Sequence, residues 1–313
     1  MRFSCLVLAL VLAAGFSVQA SELQDLGQIY QEALSHDPVL AAARKGNRAM
    51  QEKLVQGQSQ YLPTITFNAG ASASRTDIKY IGNASVFRNG GRENFEGYNY
   101  GINLNQPIFR QQIRAQLEQA KSQVTQSDKQ LLLAQQNLIM RASKAYFDVL
   151  LAQDKIALIQ AQKEAIEKQL HQAQANFEVG IATITDVNEA QARYDLTKAQ
   201  EIAAVGDLEV KKRSIQSIIG RMPSELKGIR TDLQPQLPNP LVMDQWVDMA
   251  LQSNLSIAIQ QQALEIAAQE VERQNAGHLP TLDAVASYTD RYANGSANGF
   301  GSDLQDATIG LQF

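Results

Sequence analysis

The residue types that most often perform catalysis or bind metals are few in this chain, and they are scattered. The three histidines, His36, His171 and His278, fall on separate predicted elements, and the only cysteine is Cys5. No Ser/His/Asp cluster, phosphate-binding glycine loop, metal-ligand spacing or isolated acidic pair can be found. The sequence therefore predicts a protein that is not an enzyme and that needs no cofactor or metal.

One short segment combines apolar and polar residues in a pattern that could matter for function. Val179, Gly180 and Ile181 interrupt a helical pattern, and Gly180 suits a left-handed C-cap. Thr185 and Asp186 then open the next helix. Because Thr and Asp are common helix caps, these two residues are as compatible with capping alone as with a functional role, and the two roles can coexist.

The elements on either side of this segment are long helices. From about Arg110 to Phe177 there is no proline or glycine, and apolar or small residues step by threes and fours, which predicts coiled-coil packing with one stutter. Such a helix would span about 100 Å and needs lateral partners. The second helix carries a matching seam of apolar and small residues, namely Val187, Ala190, Tyr194, Thr197, Ala204, Leu208, Ile215 and Ile218. Residues 110–220 are therefore predicted to form an antiparallel helical hairpin.

Two further segments alternate with a period of two. Ile65, Phe67, Ala69, Ala71 and Ala73 fall on one side of the first, and polar residues fall on the other. The second carries the alternating set Tyr98, Tyr100, Ile102 and Leu104, after a polar loop over about 76–97. Strands of this length match a bilayer crossing, for which about 9–11 tilted residues suffice, but half of a soluble sandwich fits the strands equally well.

The chain repeats this organisation at one constant spacing. The second copy replaces Ala33-Leu34, Asp37 and Leu62-Pro63-Thr64-Ile65 by Ala250-Leu251, Asn254 and Leu279-Pro280-Thr281-Leu282. We expect a first repeat over 21–222 that includes a β-hairpin at 63–106, a linker over 223–243, and a second repeat over 244–313. The second repeat stops where the first enters its long helix, so the sequence is interpreted as truncated before a second helical hairpin.

Composition and the N-terminus indicate export. Residues 1–20 have the positive start, apolar stretch and small-residue cleavage site of a secretory signal peptide. Cys5 lies inside this signal and far from its cleavage site, so a lipid-anchored N-terminus is not expected. A net charge of −4 gives no reason to expect nucleic acid as a partner.

Four strands cannot close a membrane barrel, because the smallest known barrels use eight. An open edge in hydrocarbon would leave backbone groups unpaired, at a cost of several kcal/mol each. If the strands cross a membrane, the chain must therefore oligomerise. Three copies would supply about twelve strands, and their helical hairpins would continue as a hollow cylinder. The expected fold class is mainly α with membrane β, contributing to a trimeric twelve-stranded barrel and an α-helical tunnel.

At this point the sequence resembles the TolC family of trimeric outer-membrane efflux and secretion channels. The resemblance rests on Asp37-Pro38, Leu62-Pro63-Thr64-Ile65 and Gln106-Pro107-Ile108-Phe109. The most specific match is the run of residues 175–187, Ala-Asn-Phe-Glu-Val-Gly-Ile-Ala-Thr-Ile-Thr-Asp-Val.

The resemblance implies a function and a set of partners. A homotrimer would cross the outer membrane of a Gram-negative bacterium, contact its lipid and extend into the periplasm. There it would dock with a periplasmic adaptor protein and an inner-membrane transporter, as the exit duct for type I secretion, multidrug efflux or both. In the family, Val-Gly-Leu at the hairpin tip contacts the adaptor, which implies this role for Val179, Gly180 and Ile181. The family's Thr-Asp pair holds the periplasmic end closed, which implies a gate at Thr185 and Asp186.

A periplasmic coiled-coil adaptor of the membrane-fusion type is the alternative prediction. Such a protein would also carry a signal peptide and a long helical hairpin. It should, however, have β-rich soluble domains with larger cores beside the hairpin. The amphipathic strands after Leu62-Pro63 and Leu279-Pro280 count against it.

Overall fold

A computed structural model describes residues 23–78, 91–230, 232, 237–295 and 300–313. The predicted signal peptide, residues 1–20, lies outside this range. The helices are α1 (Leu26–His36), α2 (Pro38–Ser59), α3 (Gln111–Glu178), α4 (Ile184–Ile219), α5 (Met243–Ser253) and α6 (Leu255–Asn275). A 3₁₀ turn at Ala276–His278 follows α6, and the strands are β1 (Thr64–Ile78), β2 (Gly91–Phe109), β3 (Leu282–Ala293) and β4 (Ser302–Gln312).

The chain divides into two compact units. The first, called the hairpin unit here, comprises Met1–Ala42 and Ala134–Asn239. The second, called the sheet unit, comprises Ala43–Leu133 and Pro240–Phe313. Each unit is built from two separate stretches of chain, so neither corresponds to a continuous half of the sequence.

The hairpin unit is held together by an antiparallel seam between α3 and α4. Lys163 on α3 lies 2.5 Å from Glu201 on α4, and Asp148 lies 3.9 Å from Lys211, so the two helices run in opposite directions. All eight predicted seam positions of α4 are buried or half-buried. Small and β-branched residues fill this seam because they allow two helices to approach closely along their whole length.

A buried ion pair fixes the start of α2 in the hairpin unit. Pro38 occupies the first helical position, and the Asp37 carboxylate accepts a 2.7 Å hydrogen bond from the backbone N–H of Leu40. The same carboxylate accepts two hydrogen bonds from the Arg141 guanidinium, at 3.0 and 2.8 Å. Burial by itself would raise the pKa of Asp37, but the hydrogen bonds from Arg141 and Leu40 outweigh it and lower the pKa. Asp37 is therefore a charged cap.

Asn254 takes the corresponding position before α6. Its backbone angles, φ −71° and ψ 118°, nearly equal the −63° and 119° of Asp37. Its side chain accepts hydrogen bonds from the backbone N–H groups of Ser256 and Ile257, at 2.8 and 3.2 Å. The neutral amide thus performs the capping role of Asp37 without a charge.

The four strands form one antiparallel sheet in the order β1-β2-β3-β4. β1 and β2 are longer than the alternation predicted, and they extend into both ends of the expected loop over 76–97, whose residues 79–90 lie outside the described range. Pairing continues to Asp77 opposite Arg92, whose side chains form an exposed ion pair at 3.4 Å. The prediction of a loop was wrong for residues 76–78 and 91–97, because a strand with two polar faces carries no alternating apolar signal.

The two faces of the sheet differ in polarity, and both are largely exposed. Directly paired residues point to the same side, so the register sorts every side chain. One face is mainly apolar and aromatic, and it includes Ile65, Phe67, Ala69, Ala71, Tyr98, Tyr100, Ile102, Leu104, Tyr288, Tyr292, Ile309 and Leu311. At the end marked by the tyrosines the same face also carries the polar residues Asp290, Asp303 and Gln305. The other is polar and small, and it includes Thr64, Thr66, Asn68, Asn99, Gly101, Asn103, Asn105, Ser287, Thr289 and Thr308. None of the apolar-face residues Ile65, Phe67 and Ile102 packs into a dry interior, since all three are exposed.

From the sequence, Trp246 and Val247 are expected to anchor the first helix of the second repeat in a small local core, and this prediction was wrong. Trp246 is 43% exposed and Val247 49% exposed, and α5 has no buried residue. The Trp246 indole N–H instead donates a 2.6 Å hydrogen bond to the carbonyl oxygen of Pro240. The sheet unit therefore leaves the apolar face of α5 uncovered.

Replacing Asp37 by Asn should destabilise the hairpin unit by about 1–3 kcal/mol, because the capping oxygen remains while Arg141 loses its charged partner. The measurement is the free energy of unfolding in detergent and denaturant. Glu189→Gln is the matched control, since it removes a carboxylate from an exposed ion pair with Arg193 and should cost less than about 0.5 kcal/mol.

The pH dependence of stability tests the same variant further. Because the folded pKa of Asp37 is lowered, its contribution is complete above the unfolded pKa of about 3.9 and disappears as the pH falls through the folded value. The stability difference between wild type and Asp37→Asn should therefore shrink below about pH 4. A difference that stays constant down to pH 3 would show that the charge of Asp37 does not matter.

Candidate functional site

The turn between α3 and α4 ends α3 with a left-handed glycine. Gly180 has a φ of +80°, and its backbone N–H donates a 2.9 Å hydrogen bond to the carbonyl oxygen of Phe177. The N–H of Ile181 donates a 2.8 Å hydrogen bond to the carbonyl oxygen of Asn176. This pair of bonds is the Schellman motif, and it satisfies the last carbonyls of α3. Gly180 is required here by its backbone conformation, whatever else it contacts.

Thr183, and not Thr185, caps the start of α4. The Thr183 hydroxyl oxygen accepts a 3.3 Å hydrogen bond from the N–H of Asp186, and the Asp186 carboxylate accepts a 2.8 Å bond from the N–H of Thr183. The Thr183 hydroxyl also donates to the same carboxylate at 2.7 Å. This is a capping box in which Asp takes the place of the usual Glu or Gln. The capping interpretation is therefore correct for Asp186 and wrong for Thr185.

The carboxylate of Asp186 is charged at neutral pH and lies beside a groove. Hydrogen bonds from the backbone and the side chain of Thr183 lower the pKa of Asp186. The groove runs between α3 and α4 and is lined by Ile166, Gln169, Asp186, Glu189, Ala190 and Arg193. Arg193 pairs with Glu189 at 2.6 Å, so this cation is already matched within the groove.

The remaining predicted site residues project from the turn. Val179 is 69% exposed and Ile181 is 78% exposed, while Thr185 is exposed on the first turn of α4. In the part of the chain that the structure describes, no hydrogen bond of the Thr185 side chain is found. The turn therefore presents apolar side chains on a backbone whose own hydrogen bonds are satisfied.

Aromatic and charged groups mark the sheet unit. The rings of Tyr98 and Tyr292 stack at 5.1 Å on the apolar face, next to Tyr100. On the polar face, Arg110 forms a two-point ion pair with Asp283 at the point where β2 leads into α3. Tyrosines at one end of an apolar band are typical of the aromatic girdle of membrane barrels.

Two tests for other kinds of site were negative within the described ranges. No helix there is long and apolar enough to cross a membrane. No group of three or more His, Cys, Asp or Glu residues there is arranged to hold a metal ion.

Sequence reasoning missed the partners of several charges. Arg141 was not identified as the partner of Asp37, although an arginine beside the apolar seam residues Leu138 and Ala142 is a usable signal. The Thr-x-x-Asp spacing of Thr183 and Asp186 is another signal that was present but not used. The pairing of Arg110 with Asp283 joins residues far apart in sequence, so no local pattern could reveal it.

A sheet with one mainly apolar face and one polar face, continuous in sequence with a long helical hairpin, is the architecture of outer-membrane efflux proteins. It belongs to the outer membrane efflux protein family, whose model matches residues 29–221. The chain is thus a protein of the outer membrane of Gram-negative bacteria. The prediction of a non-enzyme is confirmed, because the family consists of channel proteins. The adaptor alternative is not favoured.

Curated relatives carry related names. The chain is 32% identical to the outer membrane protein TolC of Escherichia coli, over 95% of this chain and 59% of that protein. It is 30% identical to TolC of Vibrio cholerae, over 96% of this chain and 66% of that protein. It is 28% identical to the proteases secretion protein PrtF of Dickeya chrysanthemi, over 100% of this chain and 67% of that protein. The chain thus spans 59–67% of the length of these relatives.

Solved structures confirm the predicted fold class. The CmeC outer membrane channel of Campylobacter jejuni matches with a TM-score of 0.68 and 17% identity, over 92% of this chain and 61% of that chain. The open state of the MtrE channel of Neisseria gonorrhoeae matches with a TM-score of 0.65 and 19% identity, over 92% and 62%. At such identities the likeness concerns the fold alone.

Replacing Gly180 by Ala should destabilise the tip by about 1–2 kcal/mol, because an L side chain is strained at positive φ. No atom lies within 4 Å of the added methyl group, so backbone strain is the whole effect. Gly206→Ala is the matched control, since Gly206 is helical, equally unobstructed, and should gain about 0.5–1 kcal/mol. Thermal unfolding in detergent measures both, and shifts of the same sign would contradict the assignment.

Proposed function

We propose that three copies of the protein form a twelve-stranded outer-membrane barrel continued by an α-helical tunnel. This channel serves as the exit duct for type I secretion, multidrug efflux or both. It docks in the periplasm with an inner-membrane transporter and a periplasmic adaptor protein. Outer-membrane lipid surrounds the apolar face of the sheet, and water fills the lumen behind the polar face.

One observation carries the proposal, namely that the sheet has two accessible faces of opposite polarity. An exposed apolar surface of this size needs a cover, and a bilayer covers the row of Ile65, Leu104, Ala286 and Ile309 along with its neighbours. The outer edges of β1 and β4 have no partner strand among the described residues. Those edges must be paired before the sheet can enter hydrocarbon.

The helical hairpin supports the same assembly. Besides its buried seam, α3 carries a second apolar stripe at steps of seven and four residues, formed by Met140, Phe147, Leu151 and Leu158, and all four are exposed. On α4, Leu196, Ile202, Val205 and Val210 are exposed as well. A helix with two apolar stripes is suited to packing between two neighbours, as the wall of a helical tunnel requires.

The tip residues receive their roles in this proposal. The exposed Val179 and Ile181, with Gly180 shaping the turn between them, form the contact for the adaptor. Thr185 and Asp186 hold the periplasmic end closed. Their exposure on one short turn supports both roles, because such a surface is free to meet a partner.

Two relatives connect the proposal with secretion. PrtF is named a proteases secretion protein, and AprF of Pseudomonas aeruginosa, which is 30% identical over 90% of this chain, is named an alkaline protease secretion protein. We also propose that the chain is organised as the two repeats over 21–222 and 244–313. The matching caps at Asp37 and Asn254 support this division.

The function is tested with full-length protein extracted from outer membranes. The duct requires detergent for solubility, a trimeric mass in solution, and discrete conductance steps in planar bilayers. The alternative, an adaptor, would be soluble and monomeric without detergent and would give no conductance. A soluble monomer without conductance would contradict the proposal.

Replacing Asp186 by Ala should raise the leak conductance of the closed trimer several-fold, because the charged group that closes the periplasmic end is lost. Thr183→Ala is the matched control, since it removes the other half of the capping box and keeps the carboxylate. Asp195→Ala removes a second exposed carboxylate from the same helix and controls for charge. If Thr183→Ala raises the conductance as much as Asp186→Ala, Asp186 acts only as a cap.

A further inference from the structure

In the proposed trimer, the free edge of β4 in one copy meets the free edge of β1 in the next copy. The inference below therefore rests on the proposed function. β1 has 15 residues and β4 has 11. Both edges are antiparallel to their inner neighbours, and β4 of one copy would meet β1 of the next in the antiparallel sense. The question is which residues face each other across this seam.

Barrel geometry restricts the answer to two registers. Across one copy the pairing runs straight from Ile65 through Leu104 and Ala286 to Ile309. Four strands are about 19 Å wide, and a tilt of about 35–45° displaces the next copy along the strands by roughly 13–19 Å, or about four to six residues. An odd displacement would exchange the two faces, so only shifts of about four or about six residues remain.

Strand length fixes the direction of the shift. If the shift runs towards Ile78, every residue of β4 faces a residue of β1. If it runs the other way, most of β4 faces residues that precede Thr64 and lie outside the strand. Because unpaired strand in hydrocarbon is costly, the first direction is preferred.

Charge and packing then separate the two registers. The shorter shift places Asp303 opposite Arg75, and Leu311 opposite Phe67. The longer shift places Asp303 opposite Asp77, and like charges directly opposite each other are destabilising. Arg75 and Asp303 are both exposed, lie on the same face of the sheet, and form no ion pair within the described parts of the chain.

We propose that β4 of one copy pairs with β1 of the next in the register that sets Asp303 against Arg75 of the neighbouring copy. Within its own copy Asp303 lies in the same row as the tyrosines Tyr98 and Tyr292, at the polar end of the apolar band. At this position the charges are close enough to water to be tolerated, and the two strands still pair with each other. The ion pair therefore selects the register of the barrel at its boundary with the headgroups.

Cysteine pairs distinguish the registers directly. In the proposed register Ala307 faces Ala71 of the neighbouring copy, whereas in the longer shift it faces Ala73. A disulfide needs Cα atoms about 4.4–6.8 Å apart, which opposed residues satisfy and diagonal residues, at about 7–8 Å, do not. Full-length protein with Cys5→Ser would carry either Ala71→Cys with Ala307→Cys, or Ala73→Cys with Ala307→Cys. After mild oxidation in the outer membrane, we expect covalent dimers and trimers at least tenfold more abundant for the first pair.

Each other result overturns the inference. Stronger cross-linking of the Ala73 and Ala307 pair would establish the longer shift. A trimer in solution with neither pair cross-linked would mean that β4 and β1 do not form this seam, although the channel proposal would survive. A monomer in solution would remove the channel proposal and the seam together.

The ion pair itself is tested by charge exchange. Arg75→Glu and Asp303→Arg should each lower the temperature at which the trimer dissociates in SDS. The double variant should recover most of that loss, because it restores an opposed pair of opposite sign. Asp306→Arg is the control, since Asp306 lies on the same strand and faces the uncharged Ser72 across the seam in the proposed register. A double variant no more stable than the single variants would overturn the role of the pair.

Discussion

The structure depends on the rule that backbone N–H and C=O groups must be hydrogen-bonded wherever water is absent. Within one copy this rule is met by three antiparallel pairings, and it fails at the outer edges of β1 and β4. No rearrangement of four strands removes both edges, so in the proposed channel the missing strand partners come from other copies. If three copies close the barrel, the helices that continue the strands must surround the same axis. In that proposal, barrel and tunnel follow from one requirement.

Charge pairs stabilise the places where the chain changes its secondary structure. Arg110 precedes α3 by one residue and pairs with Asp283 at the start of β3, so the strand-to-helix transition is tied to the neighbouring strand. Asp37 lies between α1 and α2 and pairs with Arg141. Buried charges contribute little net stability but penalise alternative arrangements that leave one partner unpaired. These two ion pairs therefore help to fix the direction of α3 after β2 and of α2 after α1.

Periodicity in the sequence predicted the parts of the fold that are buried on one side. The α4 seam from Val187 to Ile218 was predicted residue by residue, because a coiled-coil seam is a local repeat. The extension of β2 back to Gly91 was not, since Arg92, Glu93 and Glu96 give no apolar alternation. The burial expected for Trp246 failed because an aromatic residue indicates a contact without saying whether the partner belongs to the same chain. At the tip, the segment was located correctly, and only its cap was assigned to Thr185 in place of Thr183.

The tip combines a backbone whose hydrogen bonds are satisfied with apolar side chains that are exposed. The Schellman motif around Gly180 and the capping box of Thr183 and Asp186 satisfy the helix ends from within the turn. Val179 and Ile181 are therefore held in place before any partner arrives, and little ordering cost remains at binding. In the proposed duct, a partner can shift the closed channel towards the open one only by binding the open state more tightly. A preformed tip would allow such a preference if the distance between the tips of the three copies, and not the shape of each tip, differs between the two states.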